Sequence, residues 1–258
     1  MKKLVTKFAA ALSACTVLTC SAAVTVSANT AEPDLNEVAV SETMYTLMES
    51  MGFSAAQIAQ ITSETRVPNE YLAYVNVNRS SQLTGTANVY IKVVTNGCSY
   101  NGIANGLQGY ATCLYNGSSA DLFSAVISSF STSSLTDYQF PNVMRAKYTG
   151  STGISSSDVT FYSSSDAAAY SGDLSLGAVE AGNVTKYVTG STDTSSLISY
   201  ADASRIQTHY ANMLAHLTDS DWTDETSVAA DVNFDNQVDM LDAQKILVYL
   251  SDSTVTFF

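Results

Sequence analysis

Asp231-Val232-Asn233-Phe234-Asp235-Asn236-Gln237-Val238-Asp239-Met240-Leu241-Asp242 carries an oxygen-bearing side chain at its first, third, fifth, seventh, ninth and twelfth positions. That is the ligand spacing of a calcium loop, in which a hard cation collects about six to eight oxygens. Asp231, Asn233, Asp235, Asp239 and Asp242 supply side-chain oxygens, and Gln237 at position seven supplies its backbone carbonyl. Val238 is the apolar residue expected to turn inward. Position six usually takes Gly for a sharp turn; here it is Asn236, the next best residue for left-handed geometry. Asp242 stands where Glu is usual, so two-oxygen ligation needs a closer backbone approach. Ile246, Leu247 and Leu250 then recur at helical spacing and predict an amphipathic helix directly after the loop. The alternative is a solvated acidic loop that caps this helix.

Forty residues upstream a weaker copy runs from Ser191 to Asp202, followed by Ala203-Ser204-Arg205-Ile206, which aligns with Ala243-Gln244-Lys245-Ile246. Its candidate ligands are Asp193, Ser195, Ser199 and Asp202, and Ile198 matches Val238. With two carboxylates left, its affinity for calcium should be low or nil. Two tandem loop-helix units, each lacking the leading helix of an EF-hand, resemble a dockerin module over roughly 188–252. The spacer Leu217-Thr218-Asp219 through Asn233 is similar too. The resemblance implies a small all-α domain with EF-hand-like calcium loops over 188–258. It also implies a cohesin module of a scaffoldin as partner, in an extracellular, cell-surface cellulosome. The family's partner-reading positions fall on Met240, Leu241, Lys245 and Val248 in the second repeat and on Tyr200, Ala201, Arg205 and Thr208 in the first. The hydroxyl pairs of one dockerin group are absent there. Packing of Met240 and Leu241 against the preceding module is the competing reading.

Lys2, Lys3 and Lys7 precede an uncharged run ending in Val26-Ser27-Ala28, which reads as an export signal over 1–28, cleaved before Asn29. Leu12-Ser13-Ala14-Cys15 also resembles a lipobox, with lipidation of Cys15 as the alternative. Export leaves Cys98 and Cys113, an even pair that fits one disulfide or two buried thiols. Residues 29–70 read as a short helical hairpin. Val40, Met44, Leu47, Met48 and Met51 lie at helical spacing, Gly52 suits a C-terminal cap, Ser54 to Gln57 is a capping-box pattern, and Pro68 closes the second helix.

From 71 to 187 apolar and polar residues alternate, as in Ala87-Asn88-Val89-Tyr90-Ile91-Lys92-Val93, Val143 to Tyr148 and Val159 to Tyr162, with Gly/Ser/Asn turns between. This predicts a mainly β protein built on an antiparallel sandwich of jelly-roll or cohesin-like type, with a helical turn expected near Ala120 to Ile127. Three readings compete for this module. The stretch from Gly106 to Asn116 faintly resembles early cohesin strands, which implies an adaptor that captures another dockerin. Ten tyrosines, among them Tyr90, Tyr110 and Tyr162, could offer faces to a plant polysaccharide. A hydrolase would need paired acids from Asp121, Asp137, Asp158, Asp166, Asp173 and Glu180, since His209 and His216 both fall in the C-terminal region.

The chain has 24 acidic against 11 basic residues, a net −13, which disfavours nucleic acid or an anionic membrane as partner. Residues 191–258 hold 11 acids against 2 bases, so −9 is local to the candidate loops.

Overall fold

The computed structural model describes residues 35–107, 111–115 and 121–258, with backbone alone for 35–42 and 111–115. The expected export segment, Cys15 and the Asn116-Gly117 turn lie outside the described residues. The chain forms two compact units, up to Glu64 and from Thr65 to Phe258. No described helix is long and apolar enough to cross a membrane.

The first unit is the expected hairpin, α1 (Leu35–Ser50) and α2 (Ala55–Ser63). Gly52 takes φ 90°, the Gly52 amide donates to the Glu49 carbonyl and the Phe53 amide to the Met48 carbonyl, which closes α1 in a Schellman cap. Ser54 and Gln57 cap each other's backbone at the start of α2. Met44, Leu47 and Met48 are buried, as their spacing predicts. The helix stops at Ser63 rather than at Pro68, because Glu64 is already extended.

The second unit is β-rich and antiparallel. Its strands are β1 (Thr65–Arg66), β2 (Glu70–Val77), β3 (Gln82–Leu83), β4 (Ala87–Val93), β5 (Ser99–Asn105) and β6 (Ala111–Tyr115). They continue with β7 (Leu122–Ile127), β8 (Phe130–Ser131), β9 (Asn142–Thr149) and β10 (Val159–Phe161). A short helix α3 (Ser165–Tyr170), not anticipated, leads to β11 (Leu174–Glu180) and β12 (Ile198–Ser199). Two four-stranded sheets result, ordered β10-β4-β7-β6 and β11-β2-β9-β5. They share one core: Ala73, Val75, Ala146 and Tyr148 come from one sheet, and Val89, Ile91, Phe123 and Ala125 from the other. The helical turn expected at 120–127 is a correction. Leu122–Ile127 is strand β7, in which Phe123, Ala125 and Ile127 are buried and their neighbours half-buried, a period of two.

The C-terminal helices are α4 (Tyr200–Leu214), α5 (Asp224–Ala230) and α6 (Met240–Ser251), with α4 packed on α6. They explain why β2 is buried along its whole length. Its odd-numbered residues, Tyr71 to Val77, enter the shared core. Its even-numbered residues face the other way, where α5 packs on β2 and β11. The boundary expected between 187 and 188 therefore falls inside one unit. Two further ties hold it. The Arg66 guanidinium lies over the Tyr249 ring at 3.6 Å and donates to the carbonyls of Tyr249 (2.6 Å) and Ser253 (3.2 Å), capping the end of α6. Buried Glu70 accepts the amides of Phe257 and Phe258 at 2.6 and 3.1 Å.

Cys98 is a free, buried thiol, which fits the buried-thiol reading of the Cys98–Cys113 pair rather than the disulfide. Its Sγ sits 3.8 Å from the Thr152 hydroxyl and tight against Gly150, beside one sheet, whereas Cys113 lies on β6 of the other.

Candidate metal centre and its surroundings

The twelve-residue loop is held by its own side chains. Phe234 and Asn236 both take φ 65°, so Asn236 does adopt the left-handed turn its position requires. Asp231 Oδ2 accepts the Asn236 amide at 2.9 Å, Asn233 Oδ1 the Asp235 amide at 2.9 Å, and Asp235 Oδ1 the Gln237 amide at 2.9 Å. Asp239 caps α6 by accepting the Leu241 amide at 2.7 Å. Asp242 ties the two ends of the loop together, its oxygens accepting the Asn233 amide (3.2 Å) and the Asp239 amide (3.1 Å).

Asp231 and Asp242 are wholly buried. Burial pushes Asp242 well above the usual carboxylate range, and the charges of Asp231, Asp239 and Asp235 push it further. Burial likewise raises Asp231 and Asp239. Among the described residues, Asp231 alone of these acids has a direct counter-ion: Arg145 Nη1, from β9, donates to its Oδ2 at 2.7 Å, both side chains having no exposed surface. The guanidinium also lies 5.2 Å from the Phe234 ring centre and 5.8 Å from that of Phe140. Its Nε and Nη2 have no hydrogen-bond partner among the described residues. Among those residues no group of three or more His, Cys, Asp or Glu is drawn into a ready cluster. The donor set is nevertheless all oxygen, the kind a hard cation takes, and Asp242 is a wholly buried carboxyl with no direct ion pair among the described residues.

The weaker copy is satisfied without a metal. Thr185, from outside the loop, donates its amide and hydroxyl to Asp202 Oδ1, both at 2.8 Å, and its hydroxyl reaches Asp193 Oδ2 at 3.3 Å. Ser199 supplies its amide to Asp202 Oδ2 at 2.7 Å, and Ser195 its amide and hydroxyl to Asp193 Oδ1 at 2.8 and 2.6 Å. The inward positions of the two loops are each stitched to the β region. Ile198 pairs with Arg66, while Gln237 bridges to Gln139 and the Val238 amide donates to the Tyr138 carbonyl at 3.3 Å.

Of the expected partner-reading residues, Ala201 is exposed, and Tyr200, Thr208, Met240, Leu241 and Val248 are half-buried. The two cations among them are engaged within the chain. Lys245 Nζ donates to the carbonyls of Val232 (2.7 Å) and Phe257 (2.9 Å). Arg205 grips Asp219 with two nitrogens at 2.8 and 2.6 Å.

Asp219 leads to a second site that the sequence did not reveal. It also accepts from His209 Nδ1 at 2.9 Å, and the His209 ring stacks on Trp222 with centroids 3.7 Å apart and planes 10° from parallel. Burial alone would raise Asp219, but the bonds from Arg205 and His209 outweigh it and hold the carboxyl low. Burial holds His209 below the usual histidine range, so the imidazole is neutral near pH 7 and donates from Nδ1. His209, Asp219 and Trp222 line a cleft of about 620 Å³ that is also lined by residues of the 132–139 segment. Arg79 completes it, paired to Asp224 at 2.6 Å. His209 and His216 thus reach the β region after all, through packing that joins residues about seventy positions apart.

No family model, curated protein or solved structure matches this chain.

Proposed function

We propose that this chain is an exported, non-catalytic component of a cellulosome-type assembly, whose C-terminal loop-helix pair acts as a dockerin and binds a cohesin module. In this reading the two sheets form a β-sandwich that carries the docking helices on its back. The observation that supports it most is the second loop: a left-handed Asn236 at position six between wholly buried carboxylates at positions one and twelve. Calcium would be held there by side-chain oxygens of Asp231, Asn233, Asp235, Asp239 and Asp242 and by the Gln237 carbonyl. Bound there, it supplies the positive charge that lets these carboxylates converge. The first loop, saturated by Thr185 and its own serines, needs no ion, so one calcium per chain is proposed. The docking surface is then the exposed part of Met240, Leu241, Tyr200 and Ala201, with Arg205 and Lys245 acting as internal braces.

Two measurements on the intact chain test this. Calcium at concentrations on the order of millimolar, where extracellular modules bind, should raise the melting temperature, and Asp235→Ala with Asp242→Ala should remove that rise. Pull-down on a cohesin panel should show capture that the double variant loses. Capture retained by the double variant would argue against a calcium-shaped surface, and no capture at all would remove the docking reading.

A further inference from the structure

We propose that the cleft between the 132–139 segment and the α4–α5 region binds a neutral saccharide. No residue of the Asp231–Asp242 loop lines the cleft, although Gln237 and Val238 of that loop pair with Gln139 and Tyr138 of its wall. Three observations carry it.

The first is size. About 620 Å³ lies within the range of small-molecule sites and suits a short oligosaccharide.

The second is charge. Two acids of the lining, Asp219 and Asp224, are already matched by arginines of the chain. Arg79 holds Asp224 at 2.6 Å, and Arg205 holds Asp219 at 2.6 Å, with His209 donating a hydrogen bond to Asp219. An ionic ligand would have to break one of these pairs. A neutral polyol needs only their spare donors and lone pairs, which give charge-assisted hydrogen bonds without net charge.

The third is the mixture of surfaces. Tyr138 stands 38% exposed on one wall, a flat ring of the kind that meets the C–H face of a sugar, while half-buried Trp222 on the other, with His209 stacked on its ring and the Arg205 guanidinium 4.9 Å from its centre, offers only its remaining edge. Between them lie short polar groups. Thr136 donates its hydroxyl to Gln139 Oε1 at 2.8 Å, which orients the amide. The Gln139 amide nitrogen and the Tyr138 and Thr218 hydroxyls have no partner among the described residues. A deep apolar ligand would strand these groups, whereas sugar hydroxyls would satisfy them.

Titration calorimetry on the intact chain tests the assignment. The probes are β-1,4-linked hexasaccharides of glucose, xylose and mannose, with a hexamer of galacturonic acid as the charged comparison. At least one neutral sugar should give saturable binding. Tyr138→Ala and Trp222→Phe should each weaken it tenfold or more, and Tyr138→Ala should leave the melting temperature within the error of the wild type. No saturable heat from any neutral sugar would overturn the proposal. So would binding confined to the acidic hexamer, or neutral-sugar binding that both variants retain.

Discussion

A guanidinium with no exposed surface has to be matched by charge, and Arg145 is matched by Asp231 at 2.7 Å. Removing one member of such a pair leaves the other buried and alone, which costs about 3–5 kcal/mol. Arg145→Met should therefore lower the unfolding free energy of the metal-free chain, measured by denaturant titration, by an amount in that range. The loss should be smaller in calcium, where Asp231 keeps a cation. Asp231→Leu together with Arg145→Met should recover much of the metal-free loss, because two matched apolar groups replace two matched charges. Equal losses with and without calcium would count against a metal at Asp231. The turn geometry of Asp231–Asp242 was legible at this scale because its oxygen-bearing side chains are contiguous in sequence. Arg145 was not. In Val143 to Tyr148 it reads as one more polar residue of an alternating strand, and its partner lies 86 positions away.

At the scale of the element, the loop Asp231–Asp242 should respond to pH with a sign set by its buried acids. Asp242 is held well above the ordinary aspartate value of 3.8, and Asp231 and Asp239 are raised too. In the folded chain these groups take up protons that the unfolded chain releases. Their contribution to stability is complete below the ordinary value and is lost as pH rises through the raised one. His209 works in the opposite sense, losing stability as pH falls below 6.5, but it is a single group. Thermal unfolding in metal-free buffer should thus show a more stable protein near pH 5 than near pH 7.5. Calcium should reverse that order, and Asp242→Asn should flatten it. A metal-free chain that is more stable at the higher pH would contradict this account of the loop. In the first unit, Ser54→Ala should cost about 1 kcal/mol through the lost cap of α2. The hairpin, β4 and the helix after the loop all followed from spacing. β7 did not, because Ser124 and Ala125 suit a helix as well as a strand, and only burial of Phe123, Ala125 and Ile127 against the facing sheet decides between them.

At the scale of the molecule, residues 65–258 should melt as one. The helices α4 to α6 depend on the β region for the charge on Asp231, the cap on α6 and the cover over β2. Calorimetry should show one transition for this unit, with calorimetric and van't Hoff enthalpies in agreement. A separate transition assignable to α4–α6 would restore an independent C-terminal domain. The sequence suggested that independence because the texture changes abruptly after Gly190. Texture records which residues alternate and which recur, but not the even-numbered face of β2, whose cover only the three-dimensional packing reveals.

The stacking of His209 on Trp222 has an optical consequence. The chain holds a single tryptophan, so all indole emission comes from a ring 3.7 Å from an imidazole. A protonated imidazole quenches an excited indole far better than a neutral one. The molecule therefore carries its own light-emitting titration probe, dimming on acidification with a midpoint below the ordinary histidine value of 6.5.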